Sequence, residues 1–122
     1  MTKQSLRWTG IVLIVITGLI HLYETPEYLD TNTVIGTLFI LNDVGALVSA
    51  VGIYRGARDW GWGLGVVVAG GAFIAFILSR TVGLFGFQSD EWEALGLISL
   101  VVEGLFVLAA ARALSTRSER TM

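Results

Sequence analysis

A chain of 122 residues that is 54% hydrophobic and 15% charged, with a mean hydropathy of +0.73, is too apolar for an ordinary soluble domain. Such a domain spends about a quarter of its residues on Asp, Glu, Lys and Arg to keep its large surface wet. The lack of Cys removes disulfide frameworks, zinc knuckles, iron–sulfur clusters and thiol nucleophiles, and a net charge of −2 with a pI near 5.2 argues against nucleic acid as a partner.

A helix needs about 20 apolar residues to cross roughly 30 Å of hydrocarbon, and four runs qualify, at residues 6–23, 34–54, 61–81 and 93–114. They predict an all-α integral membrane domain over residues 1–122, a four-helix bundle of up-down-up-down form whose short connections make successive spans antiparallel. Lys3 and Arg7 precede the first span, but no small-residue cleavage site follows it, so it reads as a retained helix and not as a secretory signal. Thr25-Pro26 is expected to stop it, because the residue before proline is pushed out of helical geometry. Thr31-Asn32-Thr33 offers caps for the second span, and Ser89 followed by Asp90, Glu91 and Glu93 offers a start for the fourth.

Lys3 and Arg7, Arg55 and Arg58, and Arg112, Arg117 and Arg120 cluster on three alternate segments, whereas the other two loops carry only acids. By the positive-inside rule both termini are cytoplasmic and the chain belongs to the plasma membrane. Trp8, Tyr54, Trp60 and Trp62 are placed at the inner aromatic belt, and Tyr23, Tyr28 and Trp92 at the outer one. Arg80 alone breaks the charge pattern. Gly45 and Ser49 on span two, Gly61 and Gly65 on span three and Gly96 on span four form small-residue rows suited to close helix packing.

Ionisable groups at bilayer depth are expensive and usually face the protein interior. Asp43 and Glu103 each lie about ten residues, roughly 15 Å, from the outer ends of their helices. His21 and Glu24 share a stripe with Thr17; Glu103 shares one with Gly96 and Ser99; Asn42 shares one with Gly45 and Ser49; Ser79 and Arg80 close span three. These faces predict an outward-facing polar pocket of Arg80, Asp43, Glu103, His21, Asn42, Glu24 and Ser79. Within it a guanidinium would keep a buried acid ionised, so Arg80 is expected to reach inward and pair with Asp43 or Glu103. His21 precedes Asp43 by 22 positions and Arg80 precedes Glu103 by 23, a hint of two related hairpins. The apolar loop with Leu84, Phe85 and Phe87 could fold over the mouth as a lid or lie in the headgroups.

One His, with Met only at positions 1 and 122, cannot give one chain the paired axial ligands of an electron-transfer haem. The His21-Glu24-Glu27 spacing is read as no metal site because Pro26 is expected to break the helix. Ser5, Ser49, Ser79 and Ser99 show no Ser–His–acid arrangement, and no phosphate loop appears. The expectation is therefore a protein that is not an enzyme and holds no cofactor.

The segments Ser79-Arg80-Thr81-Val82-Gly83-Leu84, Glu91-Trp92-Glu93 and Val101-Val102-Glu103-Gly104 resemble small prokaryotic integral membrane proteins with four helices. The resemblance covers the last third of the chain, marks Arg80 and Glu103 as matching positions and implies no activity. Where such proteins have Leu-Pro-Gly, this chain has Leu84-Phe85-Gly86.

Three functional readings follow. The first is a ligand-binding or proton-linked small-solute transport protein; an anion or zwitterion would suit Arg80, and a cation or proton the acids. The second is a structural accessory subunit, whose partners are lipid, copies of itself or other membrane subunits. The third is a membrane redox or cofactor-binding protein.

Overall fold

The computed structural model describes residues 2–115, so Arg117 and Arg120 lie outside the described residues. The chain forms four helices, α1 (Lys3–Thr31), α2 (Thr33–Tyr54), α3 (Arg58–Thr81) and α4 (Ala94–Ser115). All four are long and apolar enough to cross a membrane. Each helix packs on its neighbour in sequence, and α1 also packs on α4, so the four close into a ring in which α1 and α3 scarcely touch. Trp8 near the start of α1 meets Tyr54 at the end of α2. Arg58 at the start of α3 donates to the Ala113 carbonyl near the end of α4. Neighbours in the ring therefore run in opposite directions. One end of the bundle carries the described ends of the chain, and the other carries the α1–α2 and α3–α4 connections.

The first helix is longer than its apolar run. At 29 residues α1 is about 43 Å long and passes straight through Pro26, correcting the expectation that Thr25-Pro26 ends it. Proline costs the helix the bond its missing N–H would make to the carbonyl four residues back. That loss is tolerated here because the following turn is held from outside. Tyr28 stacks on Phe39 of α2 at 4.4 Å, Asn32 N–H bonds the Tyr28 carbonyl at 2.8 Å, and the Asn32 side chain accepts from Val34 N and Ile35 N to start α2. A single residue thus ends one helix and caps the next. The same continuity removes the helix break invoked against the His21-Glu24-Glu27 spacing.

At its other end the chain starts α4 one residue later than expected, at Ala94. Glu93, and not Ser89, begins its hydrogen-bond ladder by accepting from Leu97 N at 3.0 Å. Trp62 is also displaced from its expected place in the inner aromatic belt: only 4% of it is exposed. Its ring lies across Gly10 of α1 and stacks on Phe106 of α4 at 5.4 Å, because only a glycine leaves room there for an indole between helices.

The buried apolar cluster, with Ile14, Ala46, Ala50, Ile53, Trp62 and Phe106 at its centre, fills the half of the bundle nearer the chain ends. Small residues let the backbones approach there. A Cβ on Gly61 would stand 2.8 Å from Ile53 N and 2.9 Å from the Gly52 carbonyl carbon. The Ser49 hydroxyl donates to the Gly61 carbonyl at 2.7 Å. Gly65 lies under Phe106 and Gly45 against Val68; at the opposite end, Gly96 lies against Phe76.

Candidate functional site

The other half of the bundle is organised around polar side chains. Because α1 continues past Pro26, its stripe of Thr17, His21 and Glu24 extends to Tyr28, all on one face at helical spacing. On α4, Ser99 and Glu103 stand one turn apart and face that stripe. His21 Nε2 and Glu103 Oε2 are 2.8 Å apart, and the Ser99 hydroxyl donates to the same Oε2 at 2.8 Å. Glu103 is 1% exposed and His21 7%. The His21 ring also leans on Phe39 at 5.0 Å. With the imidazole proton on Nε2, donated to the carboxylate, Nδ1 is left as a buried acceptor with no protein partner.

Arg80 is buried but does not reach Asp43 or Glu103, and the expected pairing is corrected on both counts. Its Nη2 pairs with Glu93 Oε1 at 2.6 Å and donates to the Tyr28 hydroxyl at 3.1 Å. Nη1 donates to Ser79 Oγ at 2.8 Å and Nε to the Glu91 carbonyl at 2.9 Å. The guanidinium carbon lies over the Phe76 ring, 4.3 Å from its centre. The physical reason is proximity. Arg80 sits in the last turn of α3, and the short connection returns the acids at the head of α4 to its side, so the nearest carboxylate satisfies it without a reach toward mid-helix. Both close acid–base pairs in the described residues differ from the two-hairpin expectation: His21 joins Glu103 between the hairpins, and Arg80 joins Glu93 across one loop.

Asp43 takes a third arrangement. Its Oδ2 accepts from the Thr25 hydroxyl at 2.9 Å, while Thr25 also approaches the His21 carbonyl at 2.7 Å. Rotated by about 100° from Asn42, Asp43 turns toward α1 and leaves the shared space. Asn42 stays in it, and its Nδ2 donates to the Val68 carbonyl on α3 at 3.0 Å.

Beyond that Asn42–Val68 contact, a cavity of about 400 Å³ occupies the space between α2 and α3. Its deep wall is formed by His21, Ser99 and Glu103, and its loop end by Glu24, Tyr28, Ser79 and Arg80. Of the seven residues expected to share a pocket, His21, Glu24, Asn42, Ser79, Arg80 and Glu103 line this cavity, and Asp43 does not. The rest of its surface is apolar, with Phe39 on α2, Ala72 and Ala75 on α3, and Leu84 and Phe87 from the α3–α4 connection. Such a space, apolar with a few convergent polar groups, is the usual form of a small-molecule site.

The connection itself is a tight turn. Leu84 and Phe87 bond each other's backbone at 2.8 Å in both directions, with φ of +50° at Phe85 and +79° at Gly86. Two positive φ values make this a type I′ turn. A proline fixed near −65° cannot adopt the Phe85 conformation, so the Leu-Pro-Gly of the resembling proteins would have to turn differently. Asn32 Nδ2 donates to the Phe85 carbonyl at 3.0 Å and ties the turn to the α1–α2 junction. Leu84 and Phe87 cover the cavity, while Phe85 points away and is 60% exposed.

Tyr28, Thr25, Phe39 and Glu93 were not foreseen as members of this arrangement. Tyr28 carries a readable signal, since it continues the helical stripe of His21 and Glu24; assigning the helix end to Pro26 hides it. Glu93 carries none, because the fold of the loop alone decides which acid returns to Arg80. No known protein family, curated protein or solved structure matches the chain, so the reading of this site rests on its own geometry.

Proposed function

We propose that this chain is a multi-pass plasma-membrane protein with both termini in the cytoplasm, and that it binds a small molecule in the cavity between α2 and α3 as a transport or sensing module. His21, Ser99 and Glu103 would be the groups that register the occupant and carry any linked proton. One observation carries the reading: a 2.8 Å His21–Glu103 contact, buried on the wall of a largely apolar space. Buried ionic pairs rarely outperform well-packed apolar residues in stability. In lipid, polar groups at depth commonly mark a pathway or a ligand. A helix staple does not call for a cavity beside it, whereas a binding site does.

The test uses the fact that the chain has one His. Protein labelled with ¹⁵N-histidine and placed in phosphatidylcholine nanodiscs gives one imidazole spectrum. It is titrated with dodecylammonium, dodecanol, laurate and ethylammonium. The reading expects at least one probe to move the His21 signals saturably, and expects the response to disappear when Gly71→Leu fills the cavity. If all four leave the imidazole unchanged, the binding reading fails and an accessory-subunit role takes its place.

A further inference from the structure

The rim of the cavity identifies how it is entered. On α2 it is bounded by Leu41, 62% exposed, and on α3 by Val67, 70% exposed; both point away from the bundle. Next to Val67 on the cavity surface lies Gly71, where an added Cβ would meet nothing within 4 Å. At the loop end, by contrast, Leu84 and Phe87 cover the space. The gap between two apolar, outward-facing helices opens toward whatever surrounds the bundle's sides, and for a membrane-spanning bundle that is lipid.

The polar groups inside identify the chemistry. Most of the nitrogen donors are committed. Arg80 gives Nε, Nη1 and Nη2 to Glu91, Ser79, Tyr28 and Glu93. Asn42 gives Nδ2 to Val68, and His21 gives Nε2 to Glu103. Three acceptors on residues that line the cavity have no protein partner among the described residues, and of these only the Glu24 carboxylate is open to it. Asn42 Oδ1 and His21 Nδ1 are buried, and the half-buried Glu24 carboxylate has no ion pair or hydrogen bond. The carboxylates of Glu24, Glu93 and Glu103 outnumber Arg80 and His21 whether or not the imidazole is charged. An anion entering here would meet few free donors and surplus negative charge.

We infer that the cavity takes the ammonium head of a lipid-soluble primary amine, which enters sideways between α2 and α3 and leaves its alkyl chain in the gap. The inference rests on the binding reading and names the ligand class for the same site. An ammonium has three donors and no acceptor, the complement of an unpaired carboxylate such as that of Glu24. The apolar walls suit the methylenes that follow the head. Glu24 supplies the charge contact, and His21 lies on the same wall close enough to report it.

The same labelled nanodiscs test it. Dodecylammonium is expected to bind about tenfold or more tightly than dodecanol, and dodecanol more tightly than laurate. Ethylammonium, which carries the head without the chain, is expected to be weaker than dodecylammonium by at least about tenfold. Glu24→Gln should remove most of the preference for dodecylammonium over dodecanol while leaving dodecanol binding unchanged. Gly71→Leu should weaken dodecylammonium by about tenfold or more. Gly70→Leu, at a neighbouring position that is equally open but does not line the cavity, should bind as the parent does. Ala75→Leu is a second filling variant should Gly71→Leu fail to fold. Laurate as the tightest probe, or a Glu24→Gln protein with its amine preference intact, overturns the inference and leaves the binding reading standing. Ethylammonium binding as well as dodecylammonium overturns the lateral route. Silence from every probe overturns both.

Discussion

The two halves of this bundle use the same residue types for opposite purposes. Near the chain ends, glycines sit where helices touch: Gly10 lies under Trp62, Gly65 under Phe106, and Gly61 against the α2 backbone. Toward the connections, Gly36 and Gly96 are packed against Leu29 and Phe76, but Gly70 and Gly71 on α3, beside the cavity, face open space. Serine divides the same way. Ser49 crosses to the Gly61 carbonyl and holds two backbones together, whereas Ser99 supports the Glu103 carboxylate and Ser79 supports Arg80 beside the cavity. One half is thus filled by aromatic rings seated on glycine, and the other keeps an interior volume edged by acid–base pairs. Small residues permit close approach but do not compel it; large neighbours decide whether the room is used.

The contrast can be broken most severely at Glu103. Glu103→Ala removes the shared acceptor of His21 and Ser99 and is expected to destabilise the protein by about 3–5 kcal/mol, measured by reversible unfolding in mixed micelles. The double variant His21→Leu with Glu103→Leu should lose less than the Glu103→Ala protein, since no buried polar partner is left behind at the pair. If the double loses more, the pair is a structural staple and its functional interpretation weakens.

Glycine substitutions then measure the difference between the halves directly. Gly61→Ala is expected to cost about 1–3 kcal/mol, because the methyl group meets backbone atoms that cannot rotate away. Gly71→Ala should match the parent or exceed it by up to about 1 kcal/mol, because the added methyl meets nothing and the unfolded chain loses backbone freedom. Equal effects at the two positions would mean that the open half closes up in the membrane. A further gain is expected outside the bundle wall: Phe85→Gly relieves a positive φ at an exposed aromatic residue and should add roughly 1 kcal/mol in the same unfolding measurement.

Much of the site could be read from spacing alone, and the failures were specific. The stripe through Thr17, His21 and Glu24 follows from the helical period and needs no knowledge of the neighbours, and the same holds for Ser99 with Glu103 and for Asn42. Pairing could not be read that way. Face assignment fixes the direction a side chain leaves its helix, but it fixes neither the height of that helix against the next nor the path of the loop between them. A slip of one residue moves a side chain by about 1.5 Å along the axis and about 100° around it, enough to replace one partner with another. Pro26 shows the same limit: its local preference to end a helix was outweighed by Tyr28 on Phe39 and by the Asn32 cap, contacts that exist only once α2 is in place.

The four apolar runs, the small-residue rows and the burdened polar faces were determined by composition and helical period, because burial of a helix in an apolar medium and the 3.6-residue turn are properties of the chain itself. The meeting of His21 with Glu103, the capture of Arg80 by Glu93, the exclusion of Asp43 and the space between α2 and α3 were decided only by tertiary structure. The Arg80–Glu93 pair depends on the path of the α3–α4 connection, and the others on the relative height of packed helices, which no helix fixes from within its own sequence.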